Sequence, residues 1–122
     1  MNGEQLPKKK RHKLPARRLT ETRKVEMESG QTVFLSVGYD PAEPSKPVEV
    51  FYSSGFKSGA QLEFQVQDFC ILFSLLLQFG MSPAEVAKSL SRKEMPDGEL
   101  EYASISGAIV AELISPPSWA GE

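Results

Sequence analysis

Cysteine and histidine are almost missing from this chain: Cys70 and His12 are the only ones among its 122 residues. One cysteine permits no intramolecular disulfide and no cysteine-based metal cluster. With one histidine, placed among lysines near the start, a zinc site would have to be built from carboxylates. A Ser-His-Asp or Cys-His nucleophile would have to recruit its base from the same basic segment. Long apolar runs are also lacking. The longest, Phe69 to Leu77, is interrupted only by Ser74 and is too short to span a bilayer. The basic start has no apolar segment behind it and does not read as a secretory signal, so the expected location is the cytoplasm.

What is present is a strong separation of charge. The net charge of −2 hides nine Lys/Arg against two acids in residues 1–24, and five Lys/Arg against fourteen acids in residues 25–122. The two parts carry +7 and −9. A basic arm on an acidic body points to a polyanionic partner, or to docking of the arm on the body. The length suits one domain with one core. Residues 1–13 lack periodicity and aliphatic content, and are expected to be a disordered arm. Residues 14–115 are expected to form the domain and 116–122 a tail.

The stretch that organises the domain is Gln61 to Gly80. Its second half would be apolar nearly all round as a helix, while Glu63, Gln65, Gln67 and Asp68 give the first half a wet side. That pattern predicts a central helix covered on more than one face, or one that hides a face against a second copy or a partner. Before it, Val25 and Met27 alternate with acids, and Val33, Leu35 and Val37 alternate with Phe34 and Ser36. The Ser29-Gly30 turn between them predicts an antiparallel hairpin. Gly38 to Pro47 reads as a proline-rich loop, and Val48, Val50 and Tyr52 as a third strand. After Gly80, Ser82-Pro83-Ala84-Glu85 carries the residues of a capping box and predicts a helix whose C-terminal end is complemented by Lys88, Arg92 and Lys93. Asp97-Gly98 marks a turn, and Ile105, Ile109, Val110, Leu113 and Ile114 recur at helical spacing up to Pro116-Pro117. The expected class is α+β: a three-stranded antiparallel sheet packed on a long apolar helix, followed by two shorter helices.

Four pieces in this order carry a family likeness: the strand Pro47-Val48-Glu49-Val50-Phe51, the loop Gly55-Phe56-Lys57-Ser58-Gly59, the apolar helix ending Ser74-Leu75-Leu76-Leu77-Gln78-Phe79-Gly80, and Met81-Ser82-Pro83-Ala84-Glu85-Val86 with Leu90. Together they resemble the TSCPD domain, the module at the C-terminal end of adenosylcobalamin-dependent ribonucleotide reductases, which also occurs as small free-standing bacterial and phage proteins. The likeness covers residues 14–114. The cysteine-bearing motif that names that family is absent here, as are the downstream cysteine pairs of the reductases. The likeness therefore implies the fold, and no ribonucleotide reduction by this chain.

Three constellations compete for function. The first is basic: Lys8, Lys9, Lys10, Arg11 and Lys13, continued by Arg17 and Arg18, would neutralise phosphates without reading sequence. No exposed aromatics are interleaved with them, so no stacking surface for single strands is expected. The second is the loop Gly55, Lys57, Ser58 and Gly59, which before a helix resembles a phosphate cradle but lacks P-loop spacing. The third is the acidic set Glu94, Asp97, Glu99 and Glu101, suited to basic protein surface. Glu49 and Asp68 sit in apolar surroundings without an acid/base partner. The expectation is a non-catalytic module without cofactor or metal that contacts nucleic acid or a nucleic-acid-associated complex, with a homodimer possible and no membrane. The alternative is a small factor that modulates a larger enzyme by protein contact.

Overall fold

The computed structural model describes residues 10–11, 13–16 and 18–120. Three strands, β1 (Leu19–Glu26), β2 (Thr32–Asp40) and β3 (Glu43–Ser54), form an antiparallel sheet in the order β1-β2-β3. The helix α1 (Gln61–Gln78) lies along β3, and α3 (Ile105–Ile114) lies over β1. Between these two helices come α2 (Pro83–Ala87) and a small hairpin of β4 (Arg92–Glu94) and β5 (Leu100–Tyr102). A single 3₁₀ turn, Ser118–Ala120, closes the described chain.

The register follows from which residues must leave water. Val25, Leu35 and Val37 face inward opposite Val33, Arg23 and Val50 respectively. They meet Val66, Cys70, Phe73 and Leu77 of α1 and Ile109, Val110 and Leu113 of α3 in one core. Ser74 is the only hydroxyl on that buried stripe of α1. Its Oγ accepts from the Val50 amide at 2.8 Å and donates to the Val50 carbonyl at 3.0 Å. Those are edge-strand groups with no neighbour strand on that side, so α1 completes the sheet edge as well as covering it.

Four expectations are corrected. The first strand begins at Leu19, earlier than the alternation of Val25 and Met27 suggests, because Glu21 and Arg23 also face inward. The proline-rich segment is strand and not loop: Asp40 and Ala42 make a tight turn closed by an Asp40 side-chain bond to the Ala42 amide at 2.9 Å. Pro44 and Pro47 then sit in β3, an edge strand where a missing N–H costs no ladder bond. The second helix stops at Ala87, since its next apolar residue is Leu90 and none follows before Met95. Arg92 and Lys93 belong to β4, so the order is not three strands followed simply by three helices.

The fourth correction concerns the long helix. Only one face of α1 is covered: Val66, Cys70, Phe73, Ser74, Leu77 and Gln78 are buried, whereas Phe64, Ile71, Leu72, Leu76 and Phe79 remain exposed. A sheet of three strands is as wide as one helix layer of this kind requires, and no element among the described residues forms another layer. No helix among the described residues is long and apolar enough to cross a membrane.

Candidate nucleic-acid interface

All the helices lie on one face of the sheet, which leaves its other face open. The outward residues of β1 are Thr20, Thr22, Lys24 and Glu26, and all are exposed. Across the ladder, Thr22 stands opposite Ser36, and Ser36 opposite Phe51; Lys24 stands opposite Phe34. Phe34 is 38% and Phe51 48% exposed. Phe34 and Phe51 therefore stand at diagonal positions on adjacent strands of one face, although seventeen positions separate them in the chain. Sequence reading missed this surface because it looked for aromatics interleaved with the basic arm. The signal was there in the alternation: Phe34 and Phe51 occupy outward positions of strands whose inward positions are aliphatic.

One end of this face is closed by the segment entering β1. The Arg18 guanidinium reaches Glu49 Oε2 at 2.5 Å and its NH1 donates to the Pro15 carbonyl at 2.5 Å. Glu49 is only 6% exposed and lies flat against Gly38 of the central strand. A Cβ on Gly38 would stand 2.5 Å from Glu49 Oε2, so a side chain there would displace the Glu49 carboxylate from its place against the strand. From Pro15 the chain passes towards the end of α1, where Arg11 Nε donates to Gln78 Oε1 and Gln78 Nε2 donates to the Val48 carbonyl at 3.0 Å. Lys10 and Lys13 are exposed beside it. Of the predicted basic residues, Lys10, Arg11 and Lys13 thus gather at one end of the sheet, and Arg18 is committed to Glu49. Lys8, Lys9 and Arg17 lie outside the described residues, as does most of the arm expected to be disordered.

The loop Gly55-Phe56-Lys57-Ser58-Gly59 is a strand-to-helix turn in which the Phe56 and Gly59 amides, and that of Ala60 after them, have partners within the protein. Phe56 N donates to the Tyr52 hydroxyl at 2.8 Å, Gly59 N to Glu63 Oε1 at 2.9 Å and Ala60 N to the Lys57 carbonyl at 3.0 Å. Glu63 thereby supplies an anion to the first turn of α1 from within the protein. Gly55, at φ +139°, brings its Cα against the β2 backbone: a Cβ would lie 2.5 Å from the Thr32 carbonyl oxygen. Lys57 and Ser58 are exposed at the surface of this turn.

The inner face holds a second polar group, around Arg23. Its guanidinium donates to Glu21 Oε1 (2.7 Å), the Tyr39 hydroxyl (2.9 Å), and the Glu112 and Ser115 carbonyls (2.8 and 2.9 Å). Two of these acceptors are carbonyls at the C-terminal end of α3, where a cation is favoured by the helix dipole. The Glu21 carboxyl also accepts from Tyr39 Oη at 3.1 Å and from the Ser118 amide at 3.0 Å. Burial alone would raise its pKa, but the bonds from Ser118 and Arg23 prevail and hold it below the usual carboxylate value. Trp119 packs edge-on against Tyr39, with ring centroids 5.0 Å apart, and donates to the Pro44 carbonyl at 2.7 Å. This cluster is satisfied internally and ties α3 and the final turn to the sheet.

Compared with known families, residues 7–114 match the model of the TSCPD domain. The chain belongs to the TSCPD domain family. Comparison with curated proteins and with solved structures finds no match. The match spans the whole sheet and α1 to α3, so every surface described above lies within the TSCPD domain apart from the first residues of the arm and the final turn.

Two further places in this TSCPD domain carry residues singled out in the sequence. Cys70 is 1% exposed on the buried stripe of α1, and loss of water around it pushes its thiol up to about 12. It is a neutral core residue at physiological pH. The acids Glu94, Asp97, Glu99 and Glu101 are exposed on the β4–β5 hairpin. Asp97 and Glu101 line an open cleft of ≈ 940 Å³ between that hairpin, the β1–β2 turn and α3. The cleft floor is apolar, including Met27, Phe56 and Ile105, and its rim includes Glu26, Glu28 and Glu112, with Lys93 the basic member. A carboxylate rim of this kind repels phosphate, and so the cleft and the open sheet face present opposite chemistry.

Proposed function

We propose that this TSCPD domain is a binding module for single-stranded nucleic acid, with the open sheet face as its contact surface and the basic arm as its electrostatic anchor. The observation that carries the reading is that Phe34 and Phe51, at diagonal positions on adjacent strands, are both exposed on the same sheet face. Water-exposed rings flanked by Thr22 and Ser36, with the Lys24–Glu26 ion pair beside them at 2.9 Å, offer a flat apolar surface for bases and hydroxyl groups for sugar and phosphate. A duplex keeps its bases stacked inside and gains nothing from such a surface. Lys10 and Lys13 at the end of the sheet, with Lys8 and Lys9 before them in the chain, supply the sequence-independent attraction. The proposed role is one of holding.

The test is fluorescence anisotropy with labelled single- and double-stranded DNA and RNA at two salt concentrations. Replacing Phe34 and Phe51 by alanine should weaken single-strand binding by on the order of tenfold or more per ring, as stacking contributes about 1–3 kcal/mol per base, while leaving the salt dependence unchanged. Glutamine at Lys8, Lys9, Lys10, Arg11 and Lys13 should instead flatten the salt dependence. Absence of single-strand binding at low salt, or binding indifferent to both rings, rejects the reading. The acidic cleft favours a second reading, contact with a basic segment of a larger enzyme or nucleoprotein complex. Retention of a partner after nuclease treatment, lost on Asp97→Lys with Glu101→Lys, would support it.

A further inference from the structure

We infer that the free edge of β1 takes an extended basic segment of another protein as a fourth strand, with the inward side chains of that segment in the acid-rimmed cleft beside α3. The inference rests on the second reading above, contact with a basic segment, and says how the segment is held. β1 is an edge strand, since the sheet order is β1-β2-β3. Met27 N donates to the Gln31 carbonyl at 2.7 Å, and antiparallel bonding recurs at every second residue. In the register that pairs Val25 with Val33 and Arg23 with Leu35, the odd-numbered residues of β1 therefore bond β2. The amides and carbonyls of Thr20, Thr22, Lys24 and Glu26 point the other way. All four residues are exposed, and no described residue bonds those backbone groups.

The two edges of the sheet are built differently. On β3, Pro44 and Pro47 remove donors, the register against β2 shifts at three places, and Ser74 occupies the Val50 amide and carbonyl. Such features keep an edge from pairing with another chain. β1 has eight residues, no proline and an unbroken register with β2. Its outward lysine, which could also discourage pairing, is tied to Glu26 at 2.9 Å. A regular, proline-free edge of this kind is a template for strand addition.

The chemistry of the cleft selects the occupant. Alternate side chains of an added strand fall on the same side of the sheet as Val25 and Met27, which line the cleft with Tyr102, Ile105 and Ala108. Two of the rim carboxylates already have cations: Glu26 has Lys24, and Glu112 has Arg23. Glu28, Asp97 and Glu101, also on the rim, have no ion pair among the described residues. A lysine or arginine side chain suits both parts of the cleft, its stem over the apolar floor and its head among the carboxylates. A second copy of this chain would instead bring two acidic rims to the same side of one shared edge, where like charges oppose pairing.

Fluorescence anisotropy of the full chain with a labelled peptide of alternating lysine and valine, in the absence of nucleic acid, tests the inference. The peptide should bind, and the same peptide methylated at every backbone nitrogen should bind roughly tenfold more weakly or worse, because it keeps its side chains but has no amide to donate. Lys24→Pro removes an outward amide of β1 while leaving the bonds to β2 in place. Loss of the lysine charge alone would favour a basic peptide, so weaker binding by this variant reports the lost edge. The methylated peptide asks the same question of the unaltered protein, should the proline disturb the fold. Asp97→Lys with Glu101→Lys should weaken the unmethylated peptide by roughly tenfold or more, with an unchanged circular dichroism spectrum. Equal binding of both peptides that still requires Asp97 and Glu101 overturns strand addition and leaves the basic-segment reading standing. No binding of either peptide, or binding indifferent to the two acids, overturns both. A doubled mass for the native chain in sedimentation equilibrium, returning to 13.5 kDa with Lys24→Pro, makes a second copy the occupant and also overturns the proposal.

Discussion

Arg23 shows how one side chain can organise distant parts of the chain. It is buried in a strand, yet four acceptors from β1, β2 and the end of α3 surround it. Removing a member of such a group leaves the others buried without a partner, which is far more costly than the pair is stabilising. Arg23→Ala should lower stability by about 3–5 kcal/mol in urea denaturation, whereas Lys24→Ala, one residue away and paired only with exposed Glu26, should change it by less than about 1 kcal/mol. Cys70 makes the opposite case, a buried thiol shifted by loss of water alone. Its folded thiol is pushed up to about 12 from 9.0, so the folded state retains a proton that the unfolded chain gives up. The contribution is complete below pH 9 and is lost as pH rises towards 12. Alkaline titration followed by circular dichroism should show destabilisation in that window, reduced in Cys70→Ala, and a thiol reagent at neutral pH should leave the folded protein unmodified.

At the scale of elements, the sequence was most legible where local chemistry is self-contained. The Ser82 side chain accepts from the Glu85 amide at 3.2 Å and Glu85 returns a bond to the Ser82 amide at 2.9 Å, as the Ser-Pro-Ala-Glu spelling required. Ser82→Ala should lower stability by about 1 kcal/mol, read as a shifted urea midpoint at constant slope. The Ser29-Gly30 hairpin is equally local, with Gly30 at φ +94° and Met27 bonded to Gln31 at 2.7 Å. Legibility failed where pairing across distance overrides propensity. Arg92 reads as the end of a helix, but its guanidinium lies over the Tyr102 ring at 4.7 Å and its strand pairs with β5. Pro44 and Pro47 read as loop because their tolerance of strand geometry depends on β3 being an edge, which no local pattern states.

For the whole molecule, three strands and one layer of helices leave two large surfaces uncovered, and their chemistry differs. The open sheet carries two rings among hydroxyls and a lysine; the outer face of α1 carries aliphatics. This difference is why single-strand binding is proposed for the first. The basic residues Arg11 and Arg18 meet the domain at one end of the sheet, through Gln78 of α1 and Glu49 of β3.

The sequence by itself determined the class of the fold, the capped start of α2, the neutral core role of Cys70 and the segregation of charge, because each depends on composition or on neighbours within one turn. The family likeness, too, was carried by the order of short segments. Only the tertiary structure decided that Phe34 and Phe51 stand on one open face, that Arg18 is withdrawn by Glu49, and that α1 buries a single side. Those outcomes depend on strand register and on how many layers the chain can supply, quantities set by long-range packing that no local stretch encodes.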